Sequence, residues 1–441
     1  MGWTCLEQQN RDFDMAHRPS GELPNLPAAD SPRRITVALL TGGGERHYIV
    51  SLATELLAKG IALDVIGSDD LDGPEFRNKP RLHFLNLRGN QRPDAGLAEK
   101  VSRILKYYAA LIRYATKSKS GIFHILWNNK FETLDRTLLM LYYRFLGKRV
   151  VLTAHNVNAA RRDSHDTLLN RLTLRIQYQL ADHIFVHTEK MKRELIEGFG
   201  AGVARITVIP HGINTAVPSS SLTSIQAKRR LGIRDDQRTI LFFGRITPYK
   251  GLEYLISAFG MLRGADYRLI IAGRPDRCEE YWSTIEKLIR EDLKGGRVVL
   301  RSEFIPDDET EIYFKAADVL VLPYRDIFQS GVLLLGYSFG LPALVADVGS
   351  LKEEIAEGKT GFVFRPEDPV DLAKAIERYF ASDLFRDLGR GRQEIRDCAM
   401  HRYSWDTVGR LTMHVYAGLA SSAYLRRTRQ TAPNHPERSA F

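Results

Sequence analysis

Cysteine is scarce in this chain: Cys5, Cys278 and Cys398 are the only ones in 441 residues. They are odd in number, far apart and without metal-ligand spacing, which excludes a disulfide framework and fits a reducing cytosol. No apolar run is long enough to span a bilayer, and the first residues lack the charged-then-apolar plan of a signal peptide. The chain therefore reads as a cytoplasmic protein. A dense basic stripe with interleaved aromatics on a recognisable nucleic-acid module is missing too. The net charge of +10 then suggests polyanionic or membrane-surface partners without choosing between them, and nucleic acid is the least supported of these.

The length allows two full domains and a large core. Residues 1–33 are polar and rich in Asp, Pro and Arg and read as a disordered leader. The Asp12-Phe13-Asp14 triplet there resembles a metal-binding carboxylate pair, but it lies outside any expected domain. At the far end, residues 426–441 form a basic tail with Arg426, Arg427 and Arg429 close together.

Between these ends, strand and helix patterns alternate. Strands are expected at 35–40, 62–66, 122–127, 150–152, 183–186 and 206–209, with a helix from Tyr48 to Lys59 that stops at Gly60. A Pro, Gly, Asn and serine-rich linker at 210–222 marks a boundary. The pattern then restarts at 239–243, 268–271, 298–300, 319–322 and 343–346. The fold class is α/β, with two Rossmann-like doubly wound domains (34–212 and 213–404) facing an inter-domain cleft. A last helix is expected at 405–425, after the second domain, where it could cross back to pack on the first.

The loop Phe243 to Gly251 is the most informative stretch. It joins a buried strand to an amphipathic segment and holds Gly244, Arg245 and Lys250 near the strand's carboxyl end, where open α/β sheets bind ligands. An arginine fork and a lysine point charge suit a diphosphate. Gly273 and Arg274 follow the next strand and let backbone come close. Tyr324 to Gly331 is a polar loop, including Gln329 and Ser330, before a helix from Val332 to Phe339; the amides of Gly331, Val332 and Leu333 would face phosphate oxygens.

In the first half, Gly42, Gly43 and Gly44 follow a strand but do not make a G-x-G-x-x-G fingerprint, and Asp64 sits inside a strand rather than at a ribose position. The alternative is a flexible turn. His155 and Asn156 sit just past another strand end, where His155 could bond a sugar hydroxyl, help a proton move or act only as a structural cap. His187 with Thr188, and the Pro210 to Asn214 turn, repeat the arrangement.

The Gly244-Arg245 to Lys250-Gly251 loop, the Ile271-Ala272-Gly273 strand end, the Gly340-Leu341-Pro342 turn, the Asp347-Val348-Gly349 to Glu354 stretch and Gly358 to Phe362 resemble the carboxyl-terminal domain of family 4 glycosyltransferases, glycosyl transferases group 1. Gly42 to Gly44 with Glu45 to His47, and Pro210-His211-Gly212-Ile213, match the amino-terminal domain. The resemblance spans about residues 35–420. It implies a GT-B fold and a retaining hexosyltransferase-type enzyme that uses a nucleotide sugar as donor substrate, with neither metal nor cofactor. It also implies that Arg245 and Lys250 stabilise the leaving diphosphate, that His155 touches the transferred sugar or the acceptor, and that Gly43 and Gly44 pass close to phosphates or acceptor. One departure stands out: the two places where the family has glutamates correspond to Phe328 and Gly336.

The acceptor side is marked by Lys100, Arg103, Lys106, Arg113, Lys117 and Lys119, interleaved with Ile104, Leu105, Tyr107, Tyr108, Leu111 and Ile112. Such a helix either lies on an anionic leaflet, at the inner face of the cytoplasmic membrane, or packs on the sheet with a solvated basic face. The first case would suit a lipid-linked glycan acceptor in surface polysaccharide or glycolipid assembly. Against transfer stands a non-catalytic nucleotide-sugar binder or assembly protein with a degenerate site.

Overall fold

The computed structural model of the chain describes residues 35–431 apart from 93–95, 164, 216, 265, 277 and 293–295. The expected leader with Asp12 to Asp14, and the end of the basic tail from 432, lie outside the described residues.

Two all-parallel sheets carry the structure. The first has seven strands, β1 (Thr36–Leu40), β2 (Ala62–Gly67), β3 (Leu82–Asn86), β4 (Ile122–Ile125), β5 (Arg149–Thr153), β6 (His183–Val186) and β7 (Ile206–Val208), in the order β3-β2-β1-β4-β5-β6-β7. The second has six, β8 (Arg238–Phe243), β9 (Tyr267–Ala272), β10 (Val298–Arg301), β11 (Val319–Leu322), β12 (Ala343–Ala346) and β13 (Gly361–Phe364), in the order β10-β9-β8-β11-β12-β13. The central strands β4, β11 and β12 are buried at every residue. Helices cover both faces, which is why these segments read as continuous apolar runs rather than alternating ones. Each sheet separates two hydrophobic clusters, one per face.

β3 and β13 are edge strands that the sequence pattern does not announce. Leu82 to Asn86 is buried fully only at Leu82, and β13 begins on a glycine, so neither shows a long β-branched run. The fourth strand ends at Ile125 rather than Trp127, which frees Trp127 for the cleft.

Order reverses in each sheet at one place: between β1 and β4, and between β8 and β11. In doubly wound sheets the loops leaving those strands splay apart and open a crevice at their carboxyl ends. The two loops singled out by sequence, 42–44 and 244–251, leave β1 and β8. Both therefore border a switch point.

The closing helix, Trp405–Thr431, returns to the first half and runs past the expected end at 425. The Trp405 indole donates to the Ile213 carbonyl at 2.9 Å, and Lys59 pairs with Asp406 at 2.7 Å. Val408 and Tyr416 are fully buried in the first half's core, and the Tyr416 hydroxyl bonds the His124 imidazole. The strap ties the carboxyl-terminal end of the chain to the amino-terminal sheet.

Candidate functional site

The β8 loop folds Lys250 inward. Gly244 adopts φ +98°, which an L side chain rarely takes, and a Cβ there would stand 3.0 Å from Lys250 Nζ and 3.3 Å from Val332 Cγ2. Only glycine leaves room for the ammonium beside the helix that begins at Gly331. Lys250 is 6% exposed, with its Nζ 5.6 Å from the centre of the buried Tyr324 ring. Burial, then the cations Arg245 and Arg162, bring its pKa down to about 7, against a smaller upward pull from Glu45. Arg245 occupies the open side of the same loop, two-thirds exposed at 66%, and pairs with Asp276 at 3.2 Å. The enclosed cation is thus Lys250; Arg245 adds to the potential from the rim. Gly273 packs with its missing Cβ position 2.0 Å from the Gly244 carbonyl oxygen, while Arg274 is exposed.

The helix Gly331–Ser338 begins beside Lys250 and is capped by Ser330, whose hydroxyl and carbonyl both accept from the Leu333 amide. Leu333 was expected to offer a free amide; its own cap takes it. The amides of Gly331 and Val332 have no partner among the described hydrogen bonds and carry the positive end of the helix dipole. Gln329 Oε1 is buried and unpartnered just before them. Tyr324, expected as a polar contact, instead lies 1% exposed beneath Lys250.

The glutamate places also resolve differently from expectation. Phe328 packs against the core of the first half, so it bridges the two sheets. Gly336 does not face the cleft at all: a Cβ there would meet Leu320 Cδ2 at 2.8 Å in the second core. Its identity is set by packing against β11.

Across the cleft, Gly42 to Gly44 pack against the segment after β4. A Cβ on Gly44 would fall 2.0 Å from the Trp127 ring, one on Gly42 2.1 Å from the Trp127 carbonyl, and one on Gly43 2.4 Å from Arg88 Nη1. Trp127 stacks on His155 with centroids 3.9 Å apart and planes at 10°. His155 Nδ1 and His187 Nε2 are 3.0 Å apart and share a hydrogen bond, with His211 beside them and the Tyr48 ring against all three. Burial, followed by mutual repulsion among the imidazoles, pushes His155 and His187 well below the ordinary histidine range, so both are neutral at physiological pH. His155 Nε2 is buried and has no hydrogen-bond partner. One ring nitrogen from each of His155, His187 and His211 lies within 4.8 Å of the other two, a set that could also hold a metal ion.

The halves meet over this site. Arg162 of the first half lies over the Tyr249 ring of the β8 loop at 4.3 Å, and Lys190 donates to the Gly349 carbonyl at 3.3 Å. Glu45, just after the triple glycine, is near enough to act on Lys250. Sequence reasoning missed Glu45, Arg162 and Trp127 as cleft residues. For Trp127 the signal was there: like His155, it stands just past the carboxyl end of a strand at the sheet's centre. Arg162 offered none, because its place depends on how the halves dock.

The group of proteins described as glycosyl transferases group 1 matches residues 224–390, and the one described as glycosyltransferase family 4 matches residues 41–217. A D-inositol 3-phosphate glycosyltransferase of Acidothermus cellulolyticus is 26% identical over 393 residues, covering 85% of each chain. An uncharacterized glycosyltransferase of Methanocaldococcus jannaschii is 30% identical over 237 residues, 52% of this chain and 58% of its own. Among solved structures, sucrose-phosphate synthase of Thermosynechococcus elongatus superposes with a TM-score of 0.71 at 20% identity, covering 88% of this chain and all of the other. HepE of Anabaena, in complex with UDP and glucose, gives 0.67 at 15% identity over 87% of this chain and 100% of its own. With two doubly wound sheets facing one cleft and family matches over both, the chain belongs to the family 4 glycosyltransferases and has the GT-B fold.

Proposed function

We propose that the chain transfers a sugar from a nucleotide diphosphate sugar to an acceptor hydroxyl with retention of anomeric configuration, in surface polysaccharide or glycolipid assembly. The observation that carries this reading is Lys250: a cation buried beside Gly244 and the amides of Gly331 and Val332, at the switch point of the second sheet. Such a place has a high cost for an unpaired ammonium and a strong preference for an anion. HepE, with the same fold, has been crystallised with UDP and with UDP-glucose, which supports a nucleotide sugar here.

In this reading Lys250, Arg245 and the Gly331 and Val332 amides hold the diphosphate and take up the charge that develops as the glycosidic bond breaks. The acceptor hydroxyl attacks on the face the diphosphate leaves, and a donor phosphate oxygen takes its proton. His155 Nε2 contacts the sugar. Protein cations and the helix end do the work a divalent ion would otherwise do, so no metal is required.

Membrane association has support in the helix Leu97–Lys117. Its Tyr107, Tyr108, Leu111 and Ala115 are buried against the sheet, while Leu97, Val101, Leu105 and Ile112 are exposed, Leu97 to 80%. Neither of the two expected arrangements excludes the other: one face packs, and the outer face presents apolar and basic groups to an anionic leaflet. No helix among the described residues is long and apolar enough to cross a membrane.

A second reading, a nucleotide-sugar binder without transfer, rests on Phe328, which stands at a glutamate place and packs into the opposite half. A thermal-shift screen of UDP, GDP, ADP and their sugars, followed by NMR of the product, separates the readings. The first requires donor-dependent stabilisation and an α- or β-linked product matching the donor. Binding without transfer or donor hydrolysis across a broad acceptor panel would favour the second.

A further inference from the structure

Three neighbouring parallel strands of the first sheet each carry a histidine just past the carboxyl end: His155 after β5, His187 after β6 and His211 after β7. Adjacent strands lie about 4.8 Å apart, so side chains leaving their ends at similar heights converge. The His187 ring centre is 5.0 Å from that of His155 and 4.8 Å from that of His211. His187 is buried, while His155 and His211 are half-buried and border the cleft.

The hydrogen bonds place the lone pairs of the two neutral rings. The Ile209 carbonyl can only accept, so His187 Nδ1 donates to it at 3.3 Å and His187 Nε2 keeps a lone pair. His155 Nδ1 donates to that lone pair at 3.0 Å, which leaves its own lone pair on Nε2, buried and without a partner. His211 Nδ1 is a second buried nitrogen with no partner. Buried polar atoms are nearly always bonded, so two such nitrogens in one cluster point to a ligand. His187 already has the arrangement usual at a metal, in which the other ring nitrogen donates to a backbone carbonyl. Two nitrogens on a tetrahedral zinc ion stand roughly 3.3 Å apart. An ion can therefore replace the hydrogen between His155 and His187 with only a small movement, that hydrogen passing to His155 Nε2. Glu45, close enough to act on His211, supplies negative charge beside the set.

We propose that His155, His187 and His211 form an inhibitory site for a divalent transition-metal ion of the zinc type. Imidazole ligands suit zinc, nickel and copper and disfavour magnesium and calcium. Positive charge develops on a sugar as its glycosidic bond breaks. A neutral imidazole beside that sugar tolerates the charge, whereas a divalent ion on the same imidazole opposes it. The bound ion also turns His155 Nε2 from an acceptor into a donor. The inhibition rests on the glycosyl-transfer reading; the binding of the ion does not.

Zinc chloride is titrated calorimetrically into the metal-free full chain, with magnesium chloride as control. Zinc binds and magnesium does not. His187→Gln and His211→Gln each weaken zinc binding ~10-fold or more; His211 is half-buried, so its variant stands in should His187→Gln misfold, with circular dichroism as the check. Transfer from the donor found by thermal shift is then followed with and without zinc. Saturating zinc slows the wild type ~10-fold or more, and the same zinc concentration slows His211→Gln much less relative to its own metal-free rate. No zinc binding, or binding that both variants leave intact, overturns the proposal, and so does transfer that bound zinc leaves unchanged or accelerates. If the chain neither transfers nor hydrolyses any donor, the transfer reading falls, and the zinc titrations still decide whether the three histidines hold the ion.

Discussion

Lys250 Nζ lies 3.0 Å from where a side chain on Gly244 would begin, so one residue's missing atoms make room for the other's charge. Gly244→Ala tests that fit. The substitution adds both a collision and left-handed strain of about 1–2 kcal/mol. Donor affinity should fall ~10-fold while the fold survives, as read by calorimetry with UDP and by circular dichroism. Unchanged affinity would mean that the ammonium does not depend on this gap.

The low pKa of Lys250 gives two linked expectations. In the ligand-free chain its pKa of about 7 is below the ordinary 10.5, so between those values the unfolded state binds more protons and stability rises with pH. Lys250→Met should therefore melt at a higher temperature than the wild type at pH 7 and below, with the gap closing as pH approaches 10.5. A bound diphosphate favours the charged form, so UDP binding takes up a fraction of a proton at neutral pH, more at about pH 8, and affinity falls as pH rises. Calorimetry in buffers of different ionisation enthalpy reads the uptake, which Lys250→Met abolishes.

Arg162 over Tyr249 is a contact between halves and not within one. Such an interaction is worth about 1–2 kcal/mol when partly desolvated. Arg162→Ala is expected to raise the donor KM several-fold and increase the radius of gyration in solution scattering, with little loss of thermal stability. A compact particle with an unaltered KM would show that closure does not use this pair.

The three clustered histidines can be probed by metal removal. Extensive dialysis against a chelator should leave transfer unchanged, and His155→Gln should lower it ~10²-fold through loss of one sugar contact. If the chelator abolishes activity and zinc restores it, His155, His187 and His211 hold a metal, and the proposed charge stabilisation is wrong.

Much of this architecture was legible in the chain. Buried parallel strands are continuous apolar runs, so β6, β11 and β12 stand out at their observed bounds, and glycine-bearing loops at their ends point to a crevice. What could not be read depends on contacts between distant segments. Gly336 looks like a lost ligand until β11 is seen against it. Leu333 looks like a free amide until Ser330 closes on it. Arg162 and Arg88 are ordinary arginines in sequence; docking of the halves gives the first its partner, and the turn of the triple glycine buries the second.

The central claim is that Lys250 and Arg245 hold a diphosphate at the β8 switch point. Its most direct test is the UDP affinity and transfer rate of Lys250→Ala and Arg245→Ala beside the wild type. The account predicts that UDP binds the wild type, that both variants remain folded, and that each transfers ~10²-fold or more slowly, with the larger affinity loss at the enclosed Lys250. Wild-type binding and turnover in both variants would contradict it.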